Sequence, residues 1–206
     1  MNFKFLRTSV ACLILSSACL VNVANAGLIT QWADTVIDFS SEASPGGSSA
    51  EQALGAPDTF DYDDLATAWA PSEQDNTTEY LTLGFNTAVY ANGATIRETY
   101  GNGFVTQVDV LDVFNQLHTV WAGEDNSPIR EPFDFNINWT QTSYLVKGLK
   151  IHISTGITSE GLWEEIDAVQ LSGYTANNGS VNIPEPSTLA IFGLGLLGLA
   201  SRRFKK

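Results

Sequence analysis

The sequence has little cysteine, histidine and basic charge, and each shortage excludes a class of function. The 206 residues include 2 Cys and 2 His, and both cysteines, Cys12 and Cys19, lie within the first 26 residues. If that segment is removed, the remaining chain has no thiol, which excludes disulfides, Cys-zinc sites and a cysteine nucleophile. The 10 Lys and Arg residues oppose 23 Asp and Glu residues, for a net charge of −13. Nucleic-acid binding needs clustered basic residues, so this composition excludes it.

The few basic residues are concentrated at the two ends of the chain. Six of the ten lie within the first seven or the last five residues. Between Gly27 and Ile183, 4 basic residues minus 22 acidic ones give −18 over 157 residues. That length suits one domain with a hydrophobic core. A charge of this sign favours solubility outside the cell and opposes unaided binding to anionic polymers.

The N-terminus has the three zones of a secretory signal. Two basic residues precede an apolar stretch over residues 10–23, and Ala24-Asn25-Ala26 follows it. We therefore predict a signal peptide over residues 1–26, with cleavage between Ala26 and Gly27. Lipidation at Cys19 is the alternative.

The C-terminus consists of a helix breaker, an apolar stretch and a basic tail. Pro184-Glu185-Pro186 precedes residues 189–200, which carry no charge, and four of the last five residues are basic. Twelve residues of helix rise about 18 Å, less than the roughly 30 Å hydrocarbon core, although the flanking residues 187–204 can extend the span. The order of the parts predicts a single transmembrane helix whose basic end stays cytoplasmic.

This tripartite end resembles the PEP-CTERM sorting signal of Gram-negative bacteria. The resemblance implies export through the inner membrane, transient anchoring and recognition by an exosortase-type membrane protease. It also implies cleavage near Pro184-Glu185-Pro186 and delivery to the outer surface, often beside exopolysaccharide. A simple tail anchor is the alternative.

The middle of the chain predicts an all-β domain. Apolar residues alternate with polar ones, as at Leu149, Ile151 and Ile153, and no 3.6-residue period persists over three turns. Asn92-Gly93 and Asn102-Gly103 are turn signals, and the second favours a tight hairpin. A short helical turn is expected over residues 50–54. The predicted strands are 35–40, 80–85, 94–100, 105–114, 117–121, 133–139, 149–154 and 164–171.

About eight strands with short turns predict a jelly-roll β-sandwich. We expect the sandwich over residues 27–174, a linker over 175–183 and the sorting signal over 184–206.

The same region resembles the galactose-binding-like domains of the discoidin or coagulation-factor C-type group. The resemblance is carried by residues 49–58, by Ala66-Thr67-Ala68-Trp69-Ala70, by the strand at 80–85 and by the acidic last strand at 163–171. It implies a β-sandwich that binds carbohydrate. The chain departs from the family where Ala56-Pro57-Asp58 replaces the common Asp-Gly.

Four aspartates crowd the loop after the short helical turn. Asp58, Asp61, Asp63 and Asp64 lie within seven positions. Their repulsion is unfavourable unless they are solvated or share a cation, and Ca²⁺ prefers such oxygen-rich loops. Related sandwiches hold a structural Ca²⁺ between this loop and the last strand. Carried over by position, the implied ligands are Asp58, Asp61, Asp63, Thr67 and Glu165, with Glu164 as a substitute. A solvated acidic loop is the alternative.

Aromatic side chains are the other candidates for ligand binding, since flat rings stack on the apolar faces of sugars. All five Trp and six Tyr residues lie between positions 27 and 183. Trp69, Trp121 and Trp139 fall in strand patterns that predict core positions. Tyr62, beside the acidic loop, and Tyr100, at a turn, are better exposed candidates. Arg97 is either a hydroxyl donor to sugar or, as we favour, an ion-pair partner.

No catalytic motif is present in the sequence. The two histidines stand isolated in strand patterns, and no nucleophile elbow or zinc helix occurs. Glu164 and Glu165 are adjacent in a strand and point to opposite faces, so they do not form a glycosidase pair. We therefore predict a non-catalytic surface or matrix protein that binds exopolysaccharide, either neutral or held through calcium. A structural or adhesive module of the cell surface or biofilm, without glycan binding, is the alternative.

Overall fold

The computed structural model describes residues 27–44, 47–156 and 162–175, and these residues form an all-β fold. Their one helical element is a 3₁₀ turn at Ala50–Ala53, where the sequence predicts a helical turn. The predicted all-β sandwich of eight strands is confirmed. The strands are β1 (Leu28–Trp32), β2 (Thr35–Phe39), β3 (Thr78–Tyr100), β4 (Val105–Asp112), β5 (Leu117–Ala122), β6 (Phe133–Asn138), β7 (Val146–Ser154) and β8 (Glu165–Tyr174).

Strand β3 takes part in both layers of the sandwich. Its first part, up to Val89, pairs antiparallel with β2 and β7, and β4 and β5 continue that sheet in the order β2-β3-β7-β4-β5. Its second part, from Tyr90, pairs antiparallel with β8 and β6, which gives a second sheet in the order β1-β8-β3-β6. We call these the β7 sheet and the β8 sheet.

Two predicted turns have a different role in the structure. Asn92-Gly93 lies inside β3, where the pairing with β8 shifts between Ala91 and Gly93. A Cβ atom at Gly93 would lie 2.9 Å from Asn138 Oδ1, so close approach of β6 requires this glycine. The prediction of separate strands on either side was therefore wrong. The predicted hairpin at Asn102-Gly103 was also wrong, because β7 lies between β3 and β4 and the turn joins the two sheets.

The core lies between the two sheets and follows the predicted alternation. Leu81 and Leu83 of β3 face Leu149 and Ile151 of β7 in register, and all four are fully buried. A fully buried Leu or Ile contributes roughly 1.5–3 kcal/mol to stability. Strand β1 was not predicted, because its residues are exposed or half-buried and show no clean alternation.

The register of β3 with β8 positions the candidate site. Tyr100 at the end of β3 pairs with Glu165 at the start of β8. Trp69, after the acidic loop, forms an isolated antiparallel bridge with Ile166. The acidic loop is therefore held at one end of the β8 sheet.

Within the described residues, no helix is long and apolar enough to span a bilayer. The predicted signal peptide, the sorting motif Pro184-Glu185-Pro186 and the C-terminal helix lie outside the described residues, as does Ala26. Gly27 is the first residue described.

Candidate functional site

The acidic loop packs on two carboxyl groups of β8. The backbone N–H groups of Asp58 and Thr59 donate to Asp167 Oδ1, over 3.5 and 3.2 Å. The N–H of Leu65 donates to Glu165 Oε1 over 3.1 Å. Because strand residues alternate in direction, Glu165 and Asp167 share the face of β8 that the loop covers.

A hydroxyl contact and a buried tryptophan hold the ends of this loop. The Oγ1 atoms of Thr59 and Thr67 lie 2.7 Å apart. Trp69 is fully buried and exchanges two 2.9 Å backbone hydrogen bonds with Ile166, while its Nε1 donates to Ser41 O over 3.1 Å. The predicted core position of Trp69 is confirmed.

The loop and β8 bring carboxyl groups together in two pairs. Burial, followed by the charge of Asp64, raises the pKa of Glu165 from 4.5 to about 8. Burial also raises the pKa of Asp167 to about 6, and contact with the Asp58 carboxyl adds to that rise. Asp167 Oδ2 is buried without a hydrogen-bond partner.

Tyr62 and Tyr100, the two tyrosines nominated from sequence, are in ring contact. Their centroids lie 5.1 Å apart at an interplanar angle of 59°. Burial raises the pKa of Tyr100, and the nearby Asp63, Tyr62, Asp64 and Glu165 raise it further, in that order. The ring pair therefore stands within electrostatic reach of the loop carboxylates. We call Tyr62, Tyr100 and these three acidic residues the aromatic-acidic site.

Phe60 is a site candidate that the sequence reasoning missed. Its side chain is 72% exposed, although it lies in the same loop as the tyrosine. An apolar ring placed among aspartates without entering the core is the signal that could have identified it. Asp167 was also missed as a partner of the loop, because 108 residues separate it from Thr59.

The five predicted calcium ligands are not gathered at one point. Asp58 faces Asp167, whereas Glu165 faces Asp64 and Leu65. Within the described residues, no group of three or more His, Cys, Asp or Glu side chains is placed to hold a metal ion. The arrangement therefore does not fit the implied ligand set of Asp58, Asp61, Asp63, Thr67 and Glu165. Calcium binding at this loop stays a prediction.

Glu164, the substitute calcium ligand, and Arg97, the candidate hydroxyl donor, both bond to residues outside the acidic loop. Glu164, the residue before β8, accepts through Oε1 a 2.8 Å hydrogen bond from the N–H of Gly156. Arg97 forms a 3.1 Å ion pair with Asp134 of β6, which matches the interpretation we favoured. The guanidinium is thus directed toward β6.

Both histidines, which carry no catalytic motif in the sequence, pair with aspartates in the fold. His152 Nε2 lies 2.8 Å from Asp109 Oδ2, and His118 Nε2 lies 3.1 Å from Asp112 Oδ2. Hydrogen bonds outweigh burial at Asp109 and lower its pKa. Hydrogen bonding, led by the N–H of Gln116, also lowers the pKa of Asp112. These contacts tie neighbouring strands together.

Comparison with protein-family models gives two matches. The family described as "Pappalysin-1, SD scarf domain, C-terminal" matches residues 22–182. The PEP-CTERM protein-sorting motif matches residues 182–206, which confirms the predicted sorting signal. This signal indicates export and surface localisation through an exosortase. A search of curated proteins gave no match.

Two solved structures with a similar fold come from proteins of different kinds. One chain of the crystal structure of reduced XRCC1 bound to the catalytic domain of DNA polymerase beta has a TM-score of 0.50 and 14% identity, over 70% of this chain and 99% of that chain. A selenomethionine-labelled mutant of chitosan-binding module 1, from a chitosanase/glucanase of Paenibacillus sp. IK-5, also has a TM-score of 0.50 and 14% identity. The alignment covers 72% of this chain and 95% of that chain. Both support the jelly-roll β-sandwich and, at this identity, the fold alone.

Proposed function

This chain belongs to the family of the pappalysin-1 C-terminal SD scarf domain, and from that premise we propose that its β-sandwich is a non-catalytic carbohydrate-binding module displayed at the cell surface. The sorting motif supports the location. The chemistry of the aromatic-acidic site supports the activity.

The contact between Tyr62 and Tyr100 carries the proposal. Two half-buried rings at one end of the sandwich offer apolar faces to a sugar ring, and the exposed Phe60 lies in the same loop. Carboxylates such as Asp63 and Asp64 accept hydrogen bonds from sugar hydroxyl groups. A few polar groups around an apolar surface are the usual composition of a small-ligand site.

The charge of the domain restricts the glycan class. The 4 basic and 22 acidic residues between positions 27 and 183 repel uronic-acid or sulfated polymers. The preferred ligand is therefore a neutral polysaccharide or one that bears amino groups. An anionic polysaccharide would bind only through calcium.

Affinity electrophoresis of the Gly27–Ile183 domain tests this function. Gels that contain a neutral glucan, chitosan or alginate are compared with a gel without polysaccharide. We expect retardation in the first or the second, and loss of at least tenfold in affinity for Tyr62→Ala and Tyr100→Ala. Tyr174→Ala is the matched control, because Tyr174 lies at the opposite end of β8. Equal retardation of all three variants, or none of the wild type, would refute the proposal.

An adhesive module is the second candidate, and the β4–β5 hairpin is the observation that favours it. Phe114 at its tip is 78% exposed, and Val113 and Leu117 beside it are also exposed. Such a patch suits contact with another protein. Concentration-dependent self-association that Phe114→Ser abolishes, together with no binding to any polysaccharide, would favour this function.

The processing route is a separate part of the proposal. The chain is exported through the inner membrane of a Gram-negative bacterium, anchored briefly by its C-terminal helix, and cleaved near Pro184-Glu185-Pro186 by an exosortase-type protease. Replacing the three motif residues with alanine should leave the uncleaved chain in the membrane fraction. Unchanged mass and release of the variant would contradict this route.

A further inference from the structure

Two buried carboxyl groups meet where the β3–β4 turn packs on the segment after β5. Glu98 of β3 is 0% exposed, and Asp125 is also buried. Glu98 Oε2 accepts a 2.9 Å hydrogen bond from the N–H of Gly103, and Asp125 Oδ2 accepts one of 3.3 Å from the N–H of Val105. Because Gly103 and Val105 are two residues apart, these hydrogen bonds hold the two carboxyl groups at the same turn. The sequence reasoning did not identify this pair.

Two side-chain oxygen atoms of the β3–β4 turn and the strand end before it are buried and lack partners within the described residues. Glu98 Oε1 is one of them. The other is Oδ1 of Asn102, a residue only 4% exposed. The amide nitrogen of Asn102 donates to Pro128 O and Glu131 O, each over 2.9 Å, which fixes the side chain.

Neutral oxygen atoms complete the surroundings. Ser127 Oγ lies 2.6 Å from Asp125 Oδ1, to which it donates. Gly103 has a φ of +95°, and a Cβ atom there would lie 3.3 Å from Asp125 O and 3.6 Å from Ser127 O. The turn thus brings backbone carbonyl groups beside the carboxyl pair. The donors are all oxygen, which is the chemistry of hard cations.

Two ionised carboxylates in contact inside a protein are strongly unfavourable unless a proton or a cation lies between them. A shared proton would satisfy Glu98 Oε1 but would leave Asn102 Oδ1 unpartnered. A cation with several oxygen ligands accounts for both atoms.

We propose that Glu98, Asn102, Asp125 and Ser127 form a calcium site that joins the β3–β4 turn to the segment after β5. This site shares no residue with the aromatic-acidic site or with the ligand set implied for the acidic loop. Calcium sites of extracellular modules have dissociation constants of about 10⁻⁴–10⁻³ M, which suits an exported protein. The bound ion links the two sheets at the point where the chain passes between them.

Thermal melting of the full-length chain tests the proposal. The protein is freed of metal with EDTA and then melted with and without excess Ca²⁺. At about 100 times the dissociation constant, we expect Ca²⁺ to raise the melting temperature by about 5–10 °C. Asp58→Asn should retain this response, because Asp58 belongs to the acidic loop. Glu98→Gln should lose it.

The Glu98→Gln variant separates the two explanations of the carboxyl pair. If the pair shares a proton, the glutamine side chain takes the place of the protonated acid, and the variant is at least as stable as wild type. In that case Ca²⁺ does not change the melting temperature of either protein. That result overturns the proposal, as does an equal Ca²⁺ response in both proteins. If Glu98→Gln does not fold, equilibrium dialysis with Ca²⁺ on Ser127→Ala replaces it. Loss of the hydroxyl that holds Asp125 should weaken Ca²⁺ binding about tenfold, and unchanged binding would count against the site.

Discussion

Replacing Glu165 with glutamine should make the stability of the domain less dependent on pH. Glu165 lies under the acidic loop, and its pKa of about 8 exceeds the value of 4.5 for an ordinary glutamate. Between these two pH values the folded state keeps a proton that the unfolded state releases. The contribution of Glu165 to the free energy of unfolding is therefore fully present below pH 4.5 and is lost as the pH rises from there through 8.

The size of this effect follows from the pKa difference. A shift of one unit corresponds to about 1.4 kcal/mol, so a rise from 4.5 to about 8 sets an upper bound of about 5 kcal/mol. Relaxation of the loop toward water reduces this figure, and we expect a loss of about 2–3 kcal/mol between pH 5 and pH 8. The glutamine side chain of the variant cannot ionise, and its amide can accept from the N–H of Leu65 while donating toward Asp64.

Urea unfolding in EDTA, followed by tryptophan fluorescence at several pH values from 5 to 8, measures this difference. The free energy of unfolding of Glu165→Gln minus that of wild type should grow steadily with pH. Glu73→Gln, at an exposed glutamate, is the matched control and should follow the wild type. A difference that stays constant with pH would refute the reasoning about burial.

Repeating the titration in Ca²⁺ tests the calcium ligand set implied for the acidic loop. If Glu165 binds Ca²⁺, the metal stabilises the wild type at pH 8 and the variant loses that gain. If Ca²⁺ leaves the difference between the two proteins unchanged, Glu165 is not a ligand.

Two further predictions concern the packing of the sandwich. Gly173→Ala should destabilise the domain by more than about 2 kcal/mol, because the new Cβ atom would lie 2.6 Å from Val89 Cγ2. Gly27→Ala is the control, since a Cβ atom there would have nothing within 4 Å. Equal melting temperatures of the two variants would contradict the close packing at Gly173. Asp112→Ala should destabilise the domain at pH 7, since two backbone N–H groups and His118 lose their acceptor. Hydrogen bonding lowers the pKa of Asp112, so its contribution to stability is lost as the pH falls through that pKa. The free energies of unfolding of wild type and Asp112→Ala should therefore converge in acid. A difference between them that persists in acid would show that the Asp112 carboxylate is not its cause.

The fold was largely predictable because alternation of apolar residues reports burial directly. Ile151 and Ile153 are buried and His152 between them is not, as the pattern indicates. The predicted turn at Asn92-Gly93 was wrong because the glycine lies inside β3 and allows a neighbouring strand to approach closely. A local Asn-Gly pattern does not distinguish that role from a turn. Such an approach depends on β6, more than 40 residues further along the chain.

The site was predictable only in part. Tyr62 and Tyr100 were both nominated, since exposed aromatics beside aspartates are visible in the sequence. Their contact was not predicted, because the pairing of β3 and β8 sets it. The meeting of Glu98 with Asp125 likewise depends on how the turn between the sheets packs.

The long strand β3 also has a consequence for how the chain folds. Each half of the strand pairs with two neighbours in a different sheet, so the ordering of one sheet is linked through β3 to the ordering of the other. Most of those pairings join distant parts of the chain, and distant pairings slow folding. We therefore expect a single cooperative unfolding transition with no state in which one sheet persists alone. Since β8 is the last of the described strands along the chain, we expect an exported chain to complete this fold only after β8 has crossed the membrane.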